Sequence, residues 1–295
     1  MRKTSLDRLN SAKKVEFVSE LGAIYEHAPW VTEAVSDLRP FATVAALHEA
    51  MTAAVRKAPR EQRLALINGH PDLAGKAARA GTLTADSTDE QASAGLNRLS
   101  EQEFSDFHRL NGAYRKKFGL PFIVCVRRHS KDSILRQFRL RLENDPDAEE
   151  DAALREIFRI TALRLDQRVE APDRLKVNGR VSTHVLDTCS GIPALGVKID
   201  LLELSENGDR RTITTAQTND DGRTEAPLIG GQPVPIGRYE LHFHVADYFR
   251  RLGLPLADPP FLGVVPVQFS VADPEGHYHV PLLASPWSYS TYRGS

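Results

Sequence analysis

Three histidines and two arginines toward the C-terminal end could share a reaction: His184, Arg223, His277, His279 and Arg293. His277 and His279 stand two apart, so a strand would point both to the same face. His184 lies in the run Val181 to Asp187, and Arg223 follows the turn-forming Asn219-Asp220-Asp221-Gly222. A histidine can take a proton from water near neutral pH. An arginine can clamp an oxygen that becomes negative. Taken one at a time, each of these also reads as an ordinary half-exposed strand residue. The same residues also fit zinc, through a His-x-His strand pair and a third histidine from another strand. Spacing alone leaves both readings open.

A second set lies in the N-terminal half. In Asn68-Gly69-His70-Pro71-Asp72-Leu73-Ala74 the proline biases His70 away from helix. That places His70 at a helix end, where it can be presented to a pocket. Ser87-Thr88-Asp89-Glu90-Gln91 reads as a helix start. Gly119-Leu120-Pro121-Phe122-Ile123-Val124-Cys125-Val126 is a short apolar run, and Arg164 is a lone arginine in the apolar stretch from Ile160 to Leu165. Such an arginine either snorkels to the surface or binds an anion. Arg136-Gln137-Phe138-Arg139-Leu140-Arg141 reads as a solvated helix face.

The elements that must hold these residues change character along the chain. Before about residue 170 the apolar spacing is helical: Val44, Leu47, Met51 and Val55 share one face. Ser100 and Glu103 form a capping-box pattern, ahead of Phe104, Phe107, Tyr114 and Phe118, with Gly119 suited to the stop. A late helix carries Leu154, Ile157, Phe158 and Leu165. After Glu170-Ala171-Pro172-Asp173 the period becomes two. Val197, Ile199 and Leu201 alternate with polar neighbours, as do Tyr239, Leu241, Phe243 and Val245, and then Val267, Phe269 and Val271. A helical block followed by a strand block predicts a multidomain chain, all-α then all-β sandwich, with residues 1–171 and 172–295 as its domains.

Composition narrows the partners. Of 295 residues, 38 are Lys or Arg and 39 Asp or Glu, which favours neither nucleic acid nor an acidic membrane surface. No apolar run is long enough to span a bilayer, and the polar start is unlike a signal peptide. Cys125 and Cys189, far apart in sequence, read as reduced cytoplasmic thiols.

The words around the C-terminal residues are specific. Ser182-Thr183-His184-Val185-Leu186-Asp187-Thr188, with Gly191-Ile192-Pro193-Ala194, resembles the first signature of the transthyretin-like family. His279-Val280-Pro281-Leu282-Leu283, Ser285-Pro286 and Tyr289 to Ser295 resemble the second. The closing Tyr-Arg-Gly-Ser is similar to that of the 5-hydroxyisourate hydrolases rather than the hormone-binding members. The resemblance covers roughly residues 176–295 and implies a β-sandwich, a homotetramer and a reaction without metal. It implies a catalytic set of His184, Arg223 and His279, with Tyr292, Arg293, Gly294 and Ser295 closing on the substrate. It leaves His277 a surface residue, and does not say which histidine takes the proton.

The N-terminal motifs, in their order, resemble the decarboxylases of OHCU (2-oxo-4-hydroxy-4-carboxy-5-ureidoimidazoline) over about residues 8–168. That resemblance implies an all-helical, dimeric, cofactor-free enzyme whose substrate is its own electron sink. His70 would be the acid, Glu90 would hold ureido N–H groups and the histidine, and Arg164 would bind a negative substrate oxygen. Phe122, Ile123, Val124, Cys125 and Val126 would grip the ring through their backbone, beside Pro71, with Ser87 and Gln91 as further contacts. OHCU is the product of the hydrolase reaction, so the two resemblances predict one purine-catabolic route from 5-hydroxyisourate to (S)-allantoin. The expected partners are small ureides and copies of the chain, with neither metal nor cofactor. The competing expectations are a transthyretin-like binding module with a helical interaction domain, and a zinc hydrolase.

Overall fold

The computed structural model describes residues 3–75 and 83–294. The chain forms two compact units. One holds residues up to Val126 together with Ile134–Val177; the other holds Arg127–Ser133 and the residues from Asn178 onward.

The first unit is helical, apart from a two-residue parallel pairing of Thr4–Ser5 with Val169–Glu170. Thr43 opens the helix Val44–Lys57 by accepting the Ala46 N–H, and Val44, Leu47, Met51 and Val55 are buried as their spacing requires. Ser100 and Glu103 close the expected capping box on Glu101–Phe118, and Gly119 ends that helix at φ 71°. Pro146–Arg168 is buried along most of its length, with Asp145 as its cap. Leu154, Ile157, Phe158 and Leu165 join the main core with Phe17, Leu47 and Met51. A second apolar cluster gathers Phe107, Tyr114, Phe122 and Phe138.

The reading of the arginine-rich run fails at its end. Arg141 does not sit on a solvated face but is buried. Its Nη1 donates to the Ile123 carbonyl at 2.5 Å, its guanidinium lies 4.7 Å from the Phe122 ring centre, and Nε donates to Glu149 at 3.0 Å. The helix Lys131–Arg141 ends there, and its last residue turns inward to a buried carboxylate. Arg139 is exposed, so the charge run describes the helix surface but not its end.

The second unit is built on an antiparallel sheet in the order Val265–Val271, Gly237–Phe243, Lys198–Leu204, Arg210–Gln217. Tyr239, Leu241 and Phe243 point into its core with Ile199 and Leu201. The apolar alternation continues to Val245, but the strand stops at Phe243 and Val245 begins the helix Val245–Arg251. Val245 is buried there too, so alternation could not reveal the change. Two further sheets place Gly179–Ser182 between His277–His279 and Ile229–Gln232, and Val185–Asp187 between Leu282–Ala284 and Ile192–Pro193, with Tyr289–Thr291 on the outer side of Leu282–Ala284. Backbone bonds from Val280 to Ser182 and from Leu282 to His184 carry the pairing across the break. Pro281 has no N–H for the ladder, and its carbonyl accepts the Thr291 hydroxyl instead. Among the described residues no helix is long and apolar enough to cross a membrane.

Candidate active sites

A pocket of about 350 Å³ opens in the helical unit. His70, Pro71, Ser87, Glu90, Gln91, Phe122, Ile123, Val124, Val126 and Arg164 all line it, with Glu26, Leu73 and Ile160. His70 follows the helix Arg60–Asn68, and its Nδ1 lies 3.0 Å from the Leu66 carbonyl. A carbonyl only accepts, so Nδ1 carries the proton and Nε2 keeps its lone pair. Burial holds the ring pKa below the usual histidine value, against the pull of Glu26. His70 therefore starts as a neutral acceptor.

Ser87 does not open its helix. Thr84 caps Ala85–Ser93, which places Ser87, Glu90 and Gln91 within the helix, with Ser87 and Gln91 buried. Ser87 donates its hydroxyl to Glu26 at 2.9–3.0 Å, which leaves its oxygen as an acceptor. Gln91 Oε1 accepts the Ala74 N–H at 3.0 Å, which leaves its amide N–H groups as donors. Arg164 donates through Nε and Nη2 to both Glu90 oxygens at 2.8 and 2.9 Å, and reaches Glu26 at 3.3 Å. Nε and Nη2 thus serve two carboxylates, while Nη1 lies 3.5 Å from the Ile24 carbonyl. Burial works against the arginine's charge, but the bonds and charge of Glu90 raise its pKa.

Cys125 is set apart from the other predicted wall residues. Its N–H donates to Glu156 at 2.8 Å and its side chain belongs to the main core. Glu26 was not anticipated. It is buried, and burial raises its pKa, yet Thr84, Arg164 and Ser87 together bring it below the usual value. It stands in no recognisable pattern; a carboxylate beside apolar Ile24 and Tyr25 was the sole signal.

In the β unit the predicted hydrolytic residues also come together. His184 and Arg223 pair as an antiparallel bridge, and the turn reaching Arg223 depends on Gly222. Gly222 has φ +70°, and a Cβ there would lie 2.4 Å from the Val185 carbonyl. The charge of Arg223 acts on both His184 and His279. Burial first, then Arg223, lowers the pKa of each ring, so both are neutral at pH 7. Asp221 pulls the His184 value the other way, without overcoming burial and Arg223. Its Nε2 is buried without a partner among the described residues.

His277 and His279 both hydrogen-bond Ser182, at 2.8 and 3.0 Å. Among the described residues no three His, Cys, Asp or Glu side chains converge as a group that could hold a metal ion. The tail returns over His279: Gly294 donates its N–H to the His279 carbonyl, and a Cβ on Gly294 would lie 2.5 Å from the imidazole. Arg293 stacks 5.2 Å from the Tyr278 ring centre, while Tyr292 is exposed. Ser295, the last predicted tail residue, lies outside the described residues.

Residues 10–166 match the OHCU decarboxylase family, and residues 181–294 match the HIUase/Transthyretin family. The chain belongs to both families. Its hydrolase-family part is 56% identical to 5-hydroxyisourate hydrolase 2 of Rhizobium meliloti (strain 1021), over 40% of this chain and 98% of that protein. Its decarboxylase-family part is 39% identical to the 2-oxo-4-hydroxy-4-carboxy-5-ureidoimidazoline decarboxylase of Haloferax volcanii (strain ATCC 29605), over 57% of this chain and 98% of that protein. A crystal structure of (S)-allantoin synthase is similar across both parts. It is 36% identical, with a TM-score of 0.52, and the match covers 99% of this chain and 100% of that one.

Proposed function

We propose that this chain is a bifunctional enzyme of urate degradation: it hydrolyses 5-hydroxyisourate to OHCU and then decarboxylates OHCU to (S)-allantoin. The observation that carries the reading is the similarity to (S)-allantoin synthase along almost the whole chain. Residues 1–171 carry the decarboxylase and 172–295 the hydrolase. The enzyme works in the cytoplasm as a homo-oligomer, tetrameric through the hydrolase domain with further dimer contacts through the decarboxylase domain. Neither reaction uses a metal or cofactor.

In the hydrolase site His184, Arg223 and His279 activate water and stabilise the oxyanion at the attacked carbonyl. The charge of Arg223 suits the oxyanion. Tyr292, Arg293, Gly294 and Ser295 complete the substrate site.

The decarboxylase pocket fits a planar ring with a ureido arm. The Ser87 oxygen accepts from ureido N–H groups and the Gln91 amide donates to a substrate oxygen. Pro71 and the wall Phe122, Ile123, Val124 and Val126 hold the ring. Arg164 holds Glu90 and Glu26 in place. Two carboxylates around one arginine make the pocket a poor host for the substrate carboxylate, which favours its loss as CO2. The electron pair left at ring C4 passes into the neighbouring imine. The imine nitrogen that receives the pair takes a proton from solvent water, while His70 Nε2, neutral at the outset, takes the C4 hydroxyl proton and delivers it to C5, as allantoin requires. His70 is thus a base before it is an acid. Stopped-flow circular dichroism with fresh OHCU tests this reading. Fast growth of one allantoin enantiomer supports it; formation of the racemate at the spontaneous rate removes it.

A further inference from the structure

We propose that Arg180, His277 and Ser182 form a one-way hydrogen-bond relay that places the His279 proton on Nε2, making His279 the donor and His184 the base of hydrolysis. The inference rests on the hydrolase reading above and assigns roles that reading leaves open.

The direction follows from the donor at the outer end. Arg180 Nη2 lies 3.2 Å from His277 Nδ1. A guanidinium has no acceptor, so His277 Nδ1 must accept. The proton of neutral His277 then sits on Nε2, 2.8 Å from Ser182 Oγ. Ser182 receives that bond and gives its own hydroxyl to His279 Nδ1, 3.0 Å away. His279 Nδ1 is thereby an acceptor, and its proton belongs on Nε2. Strand register builds the row: Arg180 pairs with His277, and Ser182 with His279, in one parallel ladder.

His184 has the opposite arrangement. With its Nδ1 lone pair taken by Ser182 and its Nε2 protonated, His279 has none left to act as base, so the base falls to His184, whose Nε2 has no partner among the described residues. Nε2 therefore holds a free lone pair beside Arg223. One histidine offers N–H and the other a lone pair, as a hydrolysis needs. A water proton passes to His184 Nε2 while its oxygen bonds to the ring carbonyl carbon. His279 Nε2–H and Arg223 hold the resulting oxyanion. The carbon–nitrogen bond then breaks, and His184 returns the proton to the departing nitrogen.

Arg180, His277 and Ser182 touch no reacting atom here; they are positioning residues. The test compares pH profiles of 5-hydroxyisourate hydrolysis for the full-length wild type, Ser182→Ala, Ser182→Thr and His277→Gln. Circular dichroism checks that each is folded. The groups facing His279 are Arg223, His277, His184 and Arg180, and those facing His184 are Arg223 and Asp221. Ser182→Ala should lower the kcat plateau by about tenfold to a hundredfold, as loss of an oriented proton donor does. KM should change little. The acid limb, set by His184, should stay in place, and Ser182→Thr should restore the plateau. Solid-state ¹⁵N spectra of histidine-labelled protein, assigned with His279→Gln, should show the His279 proton on Nε2 in wild type.

An acid limb that moves in Ser182→Ala, or a His279 proton on Nδ1, overturns the assignment and makes His279 the base. Full kcat in both Ser182→Ala and His277→Gln overturns the relay. A wild type that does not accelerate hydrolysis at all would instead remove the hydrolase reading beneath it.

Discussion

The two sites hold their histidines in different ways. In the helical unit His70 is buried, and a main-chain carbonyl one helical turn back fixes its proton. In the β unit His279 is only half-buried, and a side chain on the neighbouring strand bonds its Nδ1. The helical site draws its charges from distant segments, with Glu26, Glu90 and Arg164 meeting in one network. The β site gathers its residues from adjacent strands and one tight turn. A helix can pin a ring with its own backbone, because the carbonyls of its last turn have no helical partner. A strand uses its carbonyls in the ladder, so the task falls to side chains such as Ser182. The helical arrangement should therefore tolerate substitution around the histidine better than the β arrangement does.

That contrast can be broken at either site. The largest effect is expected for His70→Ala, which should slow decarboxylation by about a thousandfold, within the range for loss of an acid–base group. Hydrolysis of 5-hydroxyisourate should continue at the wild-type rate, so OHCU accumulates and gives racemic allantoin. Rapid optically active product from this variant would take His70 out of the mechanism. Next comes Arg223→Ala, expected to cut hydrolysis by about a hundredfold or more, the scale for losing an oxyanion partner. Decay of the 5-hydroxyisourate absorbance at the wild-type rate would show that Arg223 is not that partner.

Glu26→Gln should act more mildly, lowering the decarboxylase kcat by about tenfold, the size of a coupling between neighbours in one network. It keeps the side-chain shape but removes the charge that Arg164 and His70 feel. An unchanged kcat would mean that Glu90 alone sets the pocket field. The smallest effect concerns pH. His184 acts as a base only when neutral, and its folded pKa lies below the ordinary value of about 6.5. Hydrolysis should therefore keep its full rate as the pH falls through about 6.5, and decline only when the depressed value is reached. A decline beginning above neutrality would contradict the burial and Arg223 effects invoked here.

Much of this arrangement was legible in the sequence, for identifiable reasons. Period and capping gave the helices: Val44 to Val55 share a buried face, and Ser100 with Glu103 opens its helix as read. His184 and His279 were legible because they sit in contiguous signature runs, His279 on a strand and His184 at the bridge between two. Glu26 was not, because its role depends on Thr84, Ser87 and Arg164 meeting in space from three separate segments. Arg141 was misread because a helix surface predicts solvent for all its charges, whereas the helix end can turn inward to Glu149. The two-residue spacing gives the face of His277 but not its partner, because Ser182 lies on another strand.

Coupling of the two reactions in one chain is tested most directly by supplying the first substrate alone. Urate and urate oxidase generate 5-hydroxyisourate in place, and the full-length protein is added while absorbance and circular dichroism are followed together. The expected result is accelerated loss of 5-hydroxyisourate, a brief OHCU signal, and a lasting signal for (S)-allantoin alone. Decay of 5-hydroxyisourate at its spontaneous rate, or an optically inactive allantoin end point, would contradict the bifunctional assignment.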